Sequence, residues 1–262
     1  MELFDTHCHL DFEPLYRVSD PQVLQHTLEL AQSESVGGIV VPAVTESRWA
    51  NVIEVCRVSH PVNRYPALGL HPCFLRDHTQ EHLQLLERAL DKNPAVKAVG
   101  ETGLDLFIEN PEFERQLYFF NQQVELAKQF DLPLLIHGRR SVDQIIKVLR
   151  HSKPPAGGVL HAFSGSEQQA SQLWDLGFSI GLGGALTYER AQRLRRVAKS
   201  APLESILLET DAPDMPMQGF QGEPNWPHRV GYAARTLATL RGVSIEWIAE
   251  QTTHNAKKLF RV

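Results

Sequence analysis

The sequence predicts an α/β protein built as a single (β/α)8 barrel of 262 residues. Three observations point there. Eight short runs rich in leucine and β-branched residues recur along the chain, most of them continuously apolar, as parallel strands covered on both faces are. Their ends, at residues 9, 41, 71, 101, 137, 161, 183 and 211, lie 22 to 36 residues apart, room for a right-handed crossover helix each time. Polar, metal-capable residues end runs drawn from the whole array, as they do at the mouth of a barrel. An open doubly wound sheet is the rival, but no G-x-G-x-x-G follows the first run. Nothing resembling a linker divides the chain, so residues 1–262 are expected to form one domain, close to the ~250 that eight such units need.

The first run, residues 3–9, carries His7 and His9, which as i and i+2 share one strand face while Cys8 points away. Asp20-Pro21 opens a helix with a cap and a first-turn proline, and Leu24, Leu28 and Ala31 face inward. Runs 36–42, 65–71 and 96–101 follow, the last two ending on His71 and Glu101. Asn110-Pro111 repeats the cap-and-proline signal before a helix with Phe113, Leu117, Phe120, Val124 and Ala127 on one face. Run 132–137 ends on His137, with Arg139 and Arg140 just beyond, and run 157–161 ends on His161, where Ser164, Gly165 and Ser166 offer the next cap. Run 178–183 leads into Gly181-Leu182-Gly183-Gly184, where backbone can approach a neighbour closely. Arg190, Arg193, Arg195, Arg196 and Lys199 form a basic helix face, of the kind that is ordinarily solvated but that beside the mouth could guide a nucleic-acid strand. Run 206–211 ends on Asp211, residues 213–227 form a long Pro- and Gly-rich loop expected to wall a pocket, and Ser244 caps a last helix reaching about residue 260.

Composition narrows the functional classes. Twenty-six basic against 31 acidic residues leave a net charge of −5, which argues against a surface built to coat nucleic acid. No apolar run reaches the ~20 residues of a membrane span, and Met1-Glu2-Leu3-Phe4-Asp5 lacks the features of a secretory signal, so no membrane association is expected. Three cysteines (Cys8, Cys56, Cys73) without metal-knuckle spacing fit reduced thiols in a cytoplasmic protein.

The chemistry lies in the strand ends. A lone histidine there is usually a hydrogen-bonded rim residue, but His7, His9, His137, His161, Glu101 and Asp211 converge at one mouth and need partners. Imidazole and carboxylate without thiolate suit zinc, manganese, iron or nickel, with magnesium less natural. Six ligands are too many for one tetrahedral ion and suit two divalent cations. His7, His9 and Asp211 would hold one, His137 and His161 the other, and Glu101 would bridge them. Asp211 is placed to take a proton from an attacking water. Two such cations outweigh Glu101, Asp211 and a hydroxide, leaving a small positive balance that favours a phosphoryl group. Arg139 and Arg140 could fork onto phosphate oxygens, Arg140 serving equally well as a solvated helix start, and His71 is the further candidate for contact with the substrate or leaving group.

Asp5-Thr6-His7-Cys8-His9-Leu10, Gly69-Leu70-His71-Pro72, Gly100-Glu101-Thr102-Gly103-Leu104-Asp105, Leu135-Ile136-His137-Gly138-Arg139, His161-Ala162-Phe163-Ser164-Gly165 and Glu209-Thr210-Asp211-Ala212-Pro213 occur in that order. Together they resemble the motifs of the TatD family, metal-dependent hydrolases of the amidohydrolase superfamily known as deoxyribonucleases. The resemblance runs from Asp5 to the final Asn255-Ala256-Lys257-Lys258-Leu259-Phe260. It implies a distorted TIM barrel, two divalent cations per subunit and the same six ligands. Leu106 stands where many relatives carry an aromatic residue, and residues 219–225 are where substrate preference is expected to differ. The leading expectation is a binuclear hydrolase cleaving DNA phosphodiester bonds, with DNA as partner and no obligatory protein partner. The alternatives are a metal-dependent hydrolase of a small ester, lactone or amide, and a non-catalytic protein keeping metal for stability.

Overall fold

The computed structural model describes residues 1–262 and holds eight parallel strands in one sheet, ordered β1 to β8 along the chain. They are β1 (Leu3–Asp5), β2 (Val36–Pro42), β3 (Asn63–Leu68), β4 (Ala98–Asp105), β5 (Leu134–Arg139), β6 (Gly158–Leu160), β7 (Phe178–Leu182) and β8 (Ile206–Leu208). The helices between and after them are α1 (Pro21–Ser33), α2 (Trp49–Arg57), α3 (Gln80–Lys92), α4 (Phe113–Gln129), α5 (Val142–Ser152), α6 (Glu167–Asp175), α7 (Gly184–Thr187), α8 (Gln192–Ser200), α9 (Val230–Arg241) and α10 (Ile245–Phe260). This is a TIM barrel. No helix is long and apolar enough to cross a membrane.

Phe4, Val40, Ala67, Ala98, Leu135, Val159 and Leu207, one from each of seven strands, form the apolar interior together with Ala256 and Phe260 of α10. The last helix thus plugs the bottom of the barrel, with the Phe260 and Phe4 rings stacked at 6.5 Å. The helices pack outside against a larger cluster that includes Leu28, Val52, Leu86, Phe120, Leu149 and Leu237.

Several strands are shorter than their apolar runs. β1, β6 and β8 have three residues each, and the chain leaves them before reaching His7, His161 and Asp211. Ala162 and Asp211 adopt left-handed backbone (φ 45° and 58°), which ends a regular ladder. Single backbone bonds hold these extensions instead: Thr6 N–H to Leu208 O (2.9 Å), Asp211 N–H to His7 O (2.8 Å), His9 N–H to Ala212 O (2.8 Å) and Cys8 N–H to Val40 O (3.1 Å). The Asp5 carboxylate adds bonds from Thr210 N–H (2.9 Å), Thr210 Oγ1 (2.6 Å) and His7 N–H (3.2 Å). The seam between the first and last strands is therefore stitched rather than laddered.

Helix starts follow the capping signals with one exception. Asp20 caps α1, Ser244 caps α10, and Ser166 forms a reciprocal capping box with Gln169 at α6. Asn110-Pro111 does not open α4, which begins at Phe113 behind Glu112 in left-handed backbone (φ 44°). The Pro111 carbonyl is used by Gln116, whose amide also bonds both backbone groups of Asp105 at 2.7 and 2.8 Å. That buried amide ties α4 to the end of β4 and keeps the preceding residues in a loop. The basic face of α8 is not simply solvated either. Arg193 donates to Ser164 O (2.6 Å), Arg195 to Leu186 O (3.1 Å), and Arg196 pairs with Glu167 at 3.9 Å.

Candidate metal centre

Leu135 and Val159 point into the barrel, so His137 and His161, each two residues on, do so as well. Leu207 sets the same parity for Glu209 and Asp211. Glu101 breaks the count, since it lies three residues beyond inward-facing Ala98. A register shift in β4 between Val99 and Thr102 adds one residue against β5, and the alternation resets so that Glu101 points in.

The two oxygens of Glu101 face two different groups of imidazoles. Oε2 lies 3.3 Å from His7 Nε2 and 3.5 Å from His9 Nε2. Asp211 Oδ1 closes that group at 3.5 and 3.6 Å from the same two nitrogens. Oε1 lies 2.8 Å from His161 Nε2, 3.2 Å from His137 Nδ1 and 3.0 Å from His71 Nε2. The His7 and His161 rings stack at 3.9 Å where the groups meet. The structure thus brings His7, His9, Glu101, His137, His161 and Asp211 together, with His71 beside them. All of these but the fully buried His7 line a cavity of about 170 Å3 whose remaining wall is Phe12, Val44, Phe74, Pro213 and Asp214. Arg139 lies outside it, exposed at the rim, with its guanidinium 3.8 Å from the Phe107 ring centroid.

The donor set fits divalent cations. His7 Nε2 and His9 Nε2 face one another at 3.3 Å, and His137 Nδ1 faces His161 Nε2 at 3.2 Å. Nitrogens that close, with carboxylate oxygens between them, need a proton or a cation in common. Burial opposes charge on Glu101, yet His71, His7 and His161 together hold it well below the usual carboxylate range. Burial also opposes charge on Asp211, which the hydrogen bond to His9 and the charge of His161 outweigh, so it too is lowered. Burial resists protonation of His9 and His137, but Asp211 and Glu101 raise the first to about 9, and Asp105 and Glu101 raise the second to about 9. Buried His7, beside His161, falls to about 4. Two ionised carboxylates in a buried nest thus call for positive charge, and imidazole with carboxylate is the donor chemistry of zinc, manganese, iron or nickel.

His71 has a different task. Its Nδ1 accepts the Cys73 N–H at 3.1 Å, so the neutral ring carries its proton on Nε2 and donates it to Glu101 Oε1. In this arrangement it steadies the Glu101 carboxylate, and its ring also lines the cavity. His78 Nε2 in turn donates to the His71 carbonyl at 2.9 Å, with its own Nδ1 buried and unpartnered. Burial lowers His78 from 6.5 to about 4. Between those values the unfolded chain takes up a proton that the folded chain refuses, so folding stability falls as pH drops from 6.5 toward 4. The loss from this group is at most about 3–4 kcal/mol, at 1.36 kcal/mol per pH unit over some 2.5 units. Urea unfolding of the wild type and His78→Gln across that window checks this: the variant is expected to lose less stability, and identical pH slopes would remove His78 from the account.

Three buried carboxylates at the site were not assigned roles from sequence. Asp105 Oδ2 lies 2.9 Å from His137 Nε2, fixing the proton there and leaving Nδ1 free toward Glu101. Glu209 Oε1 accepts the Ala162 N–H at 2.5 Å and sits 3.8 Å from His161 Nδ1. Its carboxylate fits only because residue 181 is glycine, where a Cβ would meet Glu209 Oε2 at 2.0 Å. Asp5 stitches the seam beneath His7. The available signal was register: Asp105 pairs with Arg139, two residues past His137, and Glu209 shares the inward parity of Asp211. Asp105→Asn is expected to lower metal affinity about 10- to 100-fold by freeing the ring and tautomer of His137, and titration of metal-stripped protein measures it. An unchanged affinity would show that His137 needs no such partner.

A (β/α)8 barrel with a histidine–carboxylate nest at its C-terminal mouth is the architecture of metal-dependent hydrolases. The family model described as "TatD related DNase" matches residues 4–261. The chain is 44% identical over 259 residues to "Uncharacterized metal-dependent hydrolase YjjV" of Escherichia coli K12, covering 98% of this chain and 97% of that protein. The crystal structure of E. coli YjjV, a TatD homologue, superposes with a TM-score of 0.94, covering 99% of this chain and 98% of the other. An uncharacterized amidohydrolase of Saccharomyces cerevisiae shares the fold, with a TM-score of 0.81 at 20% identity over 99% of this chain and 100% of that one. The chain belongs to the TatD family and is a metal-dependent hydrolase.

Proposed function

We propose that this hydrolase cleaves phosphodiester bonds of DNA, with His7, His9 and Asp211 holding one divalent cation, His137 and His161 a second, and Glu101 bridging them. The observation that carries the reading is Glu101 itself, with Oε2 turned to His7 and His9 and Oε1 to His137 and His161. Bound cations would supply a water of lowered pKa and charge neutralisation at the attacked phosphoryl oxygen. The protein's own groups do the rest. Asp211 directs Oδ1 at His7 and His9 and leaves Oδ2 without a protein partner, ready to accept a proton from the attacking water. His71 holds Glu101, and Asp105 holds His137. Phe12, Val44 and Phe74 make an apolar wall that excludes bulk water from the reacting group. DNA is the expected partner, with no protein partner required, and three free cysteines accord with work in the cytoplasm.

The cavity itself favours a second reading. At about 170 Å3 it is below the ~300 Å3 at which ligand pockets usually begin, so a polynucleotide must lie across the mouth and insert only its phosphate. A small ester, lactone or amide would enter whole. Incubation of metal-loaded protein with labelled single-stranded and nicked oligonucleotides, with and without chelator, separates the two. Cleavage that stops with chelator, returns with added Mn²⁺ and is lost in His161→Ala supports the nuclease reading. Turnover of model esters or lactones without DNA cleavage overturns it.

A further inference from the structure

The rim beside His137 carries two unpaired arginines on one exposed ring. Phe107, 46% exposed, has the Arg139 guanidinium carbon 3.8 Å and that of Arg140 4.3 Å from its centroid. Successive residues of an extended strand point to opposite sides, so both could not reach one ring from a continued β5. Arg140 adopts left-handed backbone (φ 56°), and this turn brings the second guanidinium back to the first. Neither makes an ion pair or a hydrogen bond, whereas Arg193 and Arg195 bond backbone carbonyls. Two like charges so placed repel, and the negative face of the phenyl ring offsets part of that cost. The ring's position is fixed from the metal centre: Asp105 Oδ1 accepts the Phe107 and Ile108 N–H groups at 2.8 and 3.3 Å while Oδ2 engages His137.

We infer that Arg139 and Arg140, positioned by Phe107, form a subsite for a phosphate of the polynucleotide strand, next to the one held over the metal centre. This rests on the nuclease reading and adds to it where the strand runs: out of the cavity over the end of β5. A guanidinium pair without a carboxylate partner suits an anion with several oxygens, which two forked donors can grip at once. Arg139 lies two residues beyond His137, about 6.6 Å along the strand, so the subsite borders the centre directly.

The test uses anisotropy of a fluorescein-labelled phosphorothioate oligothymidylate, which resists cleavage, on metal-loaded protein across a salt series, together with steady-state cleavage of the unmodified oligonucleotide by the same enzyme. Arg139→Gln and Arg140→Asn are each expected to weaken binding about 5- to 10-fold and to flatten the plot of log affinity against log salt by about 0.7. Phe107→Leu, which keeps apolar bulk and removes the ring, is expected to cost about two- to threefold, falling on KM rather than kcat. Lys92→Ala, at the C-terminal end of α3 and so at the closed end of the barrel away from the mouth, should leave affinity and slope unchanged. If wild type cleaves DNA and the double arginine variant keeps its affinity and salt slope, the subsite is overturned and the nuclease reading stands. If wild type neither binds nor cleaves any oligonucleotide, both fall.

Discussion

Glu101→Gln is expected to lower hydrolysis about a thousandfold, some 4 kcal/mol of transition-state stabilisation, and to strip metal from the protein. The substitution keeps the shape of the side chain but leaves one oxygen for two groups of imidazoles. Whichever way the amide turns, its NH2 group faces nitrogens at 2.8–3.2 Å on one side or 3.3–3.5 Å on the other, where lone pairs are needed for a cation. His71, which donates to Oε1, loses its acceptor in one of the two orientations. Metal analysis after gel filtration, paired with initial rates on any substrate the wild type turns over, reads both consequences. A variant with wild-type metal content and a rate within tenfold of wild type would show that Glu101 does not join the two halves of the site.

Phe260→Ala is expected to cost about 3–5 kcal/mol of folding stability, the range for removing a fully buried aromatic side chain. Phe260 is 1% exposed and belongs to the interior cluster to which seven strands contribute one residue each. Its ring stacks on Phe4, which in turn stacks on Tyr65 at 5.7 Å, so the cavity left behind would open at the closed end of the barrel. Urea unfolding of metal-free protein is the appropriate measurement, because bound metal adds its own stabilisation. A loss below about 1 kcal/mol would mean that α10 rests on the barrel without sealing it.

The apolar runs made the eight strands legible because parallel strands buried on both faces need no alternation, and the helices between them announced their starts through Asp20, Ser166 and Ser244. What the runs concealed was where strands end. Continuity of apolar residues does not reveal that the chain bends at Ala162 or Asp211, since a left-handed φ at a non-glycine residue has no compositional mark. Glu101 was placed at the mouth by its position at a run's end, although the bulge that turns it inward is a matter of register between β4 and β5. Asp105, Glu209 and Asp5 stayed unassigned because their roles depend on neighbours across the sheet. Asn110 looked like a cap because it precedes a proline, but the Gln116 amide claims that segment for the loop. His71 was legible as a mouth residue, and only the Cys73 N–H on its Nδ1 reveals which way its proton points.

The stitched seam has a bearing on biosynthesis. His7 and His9 emerge from the ribosome long before Asp211, Thr210 and the α10 plug, and the barrel ring is completed only when these distant stretches meet. A growing polypeptide that has not yet reached residue 211 therefore lacks a donor and the lock that sets its partner histidines. Assembly of the six donors thus waits on contact between segments 205 residues apart along the polypeptide.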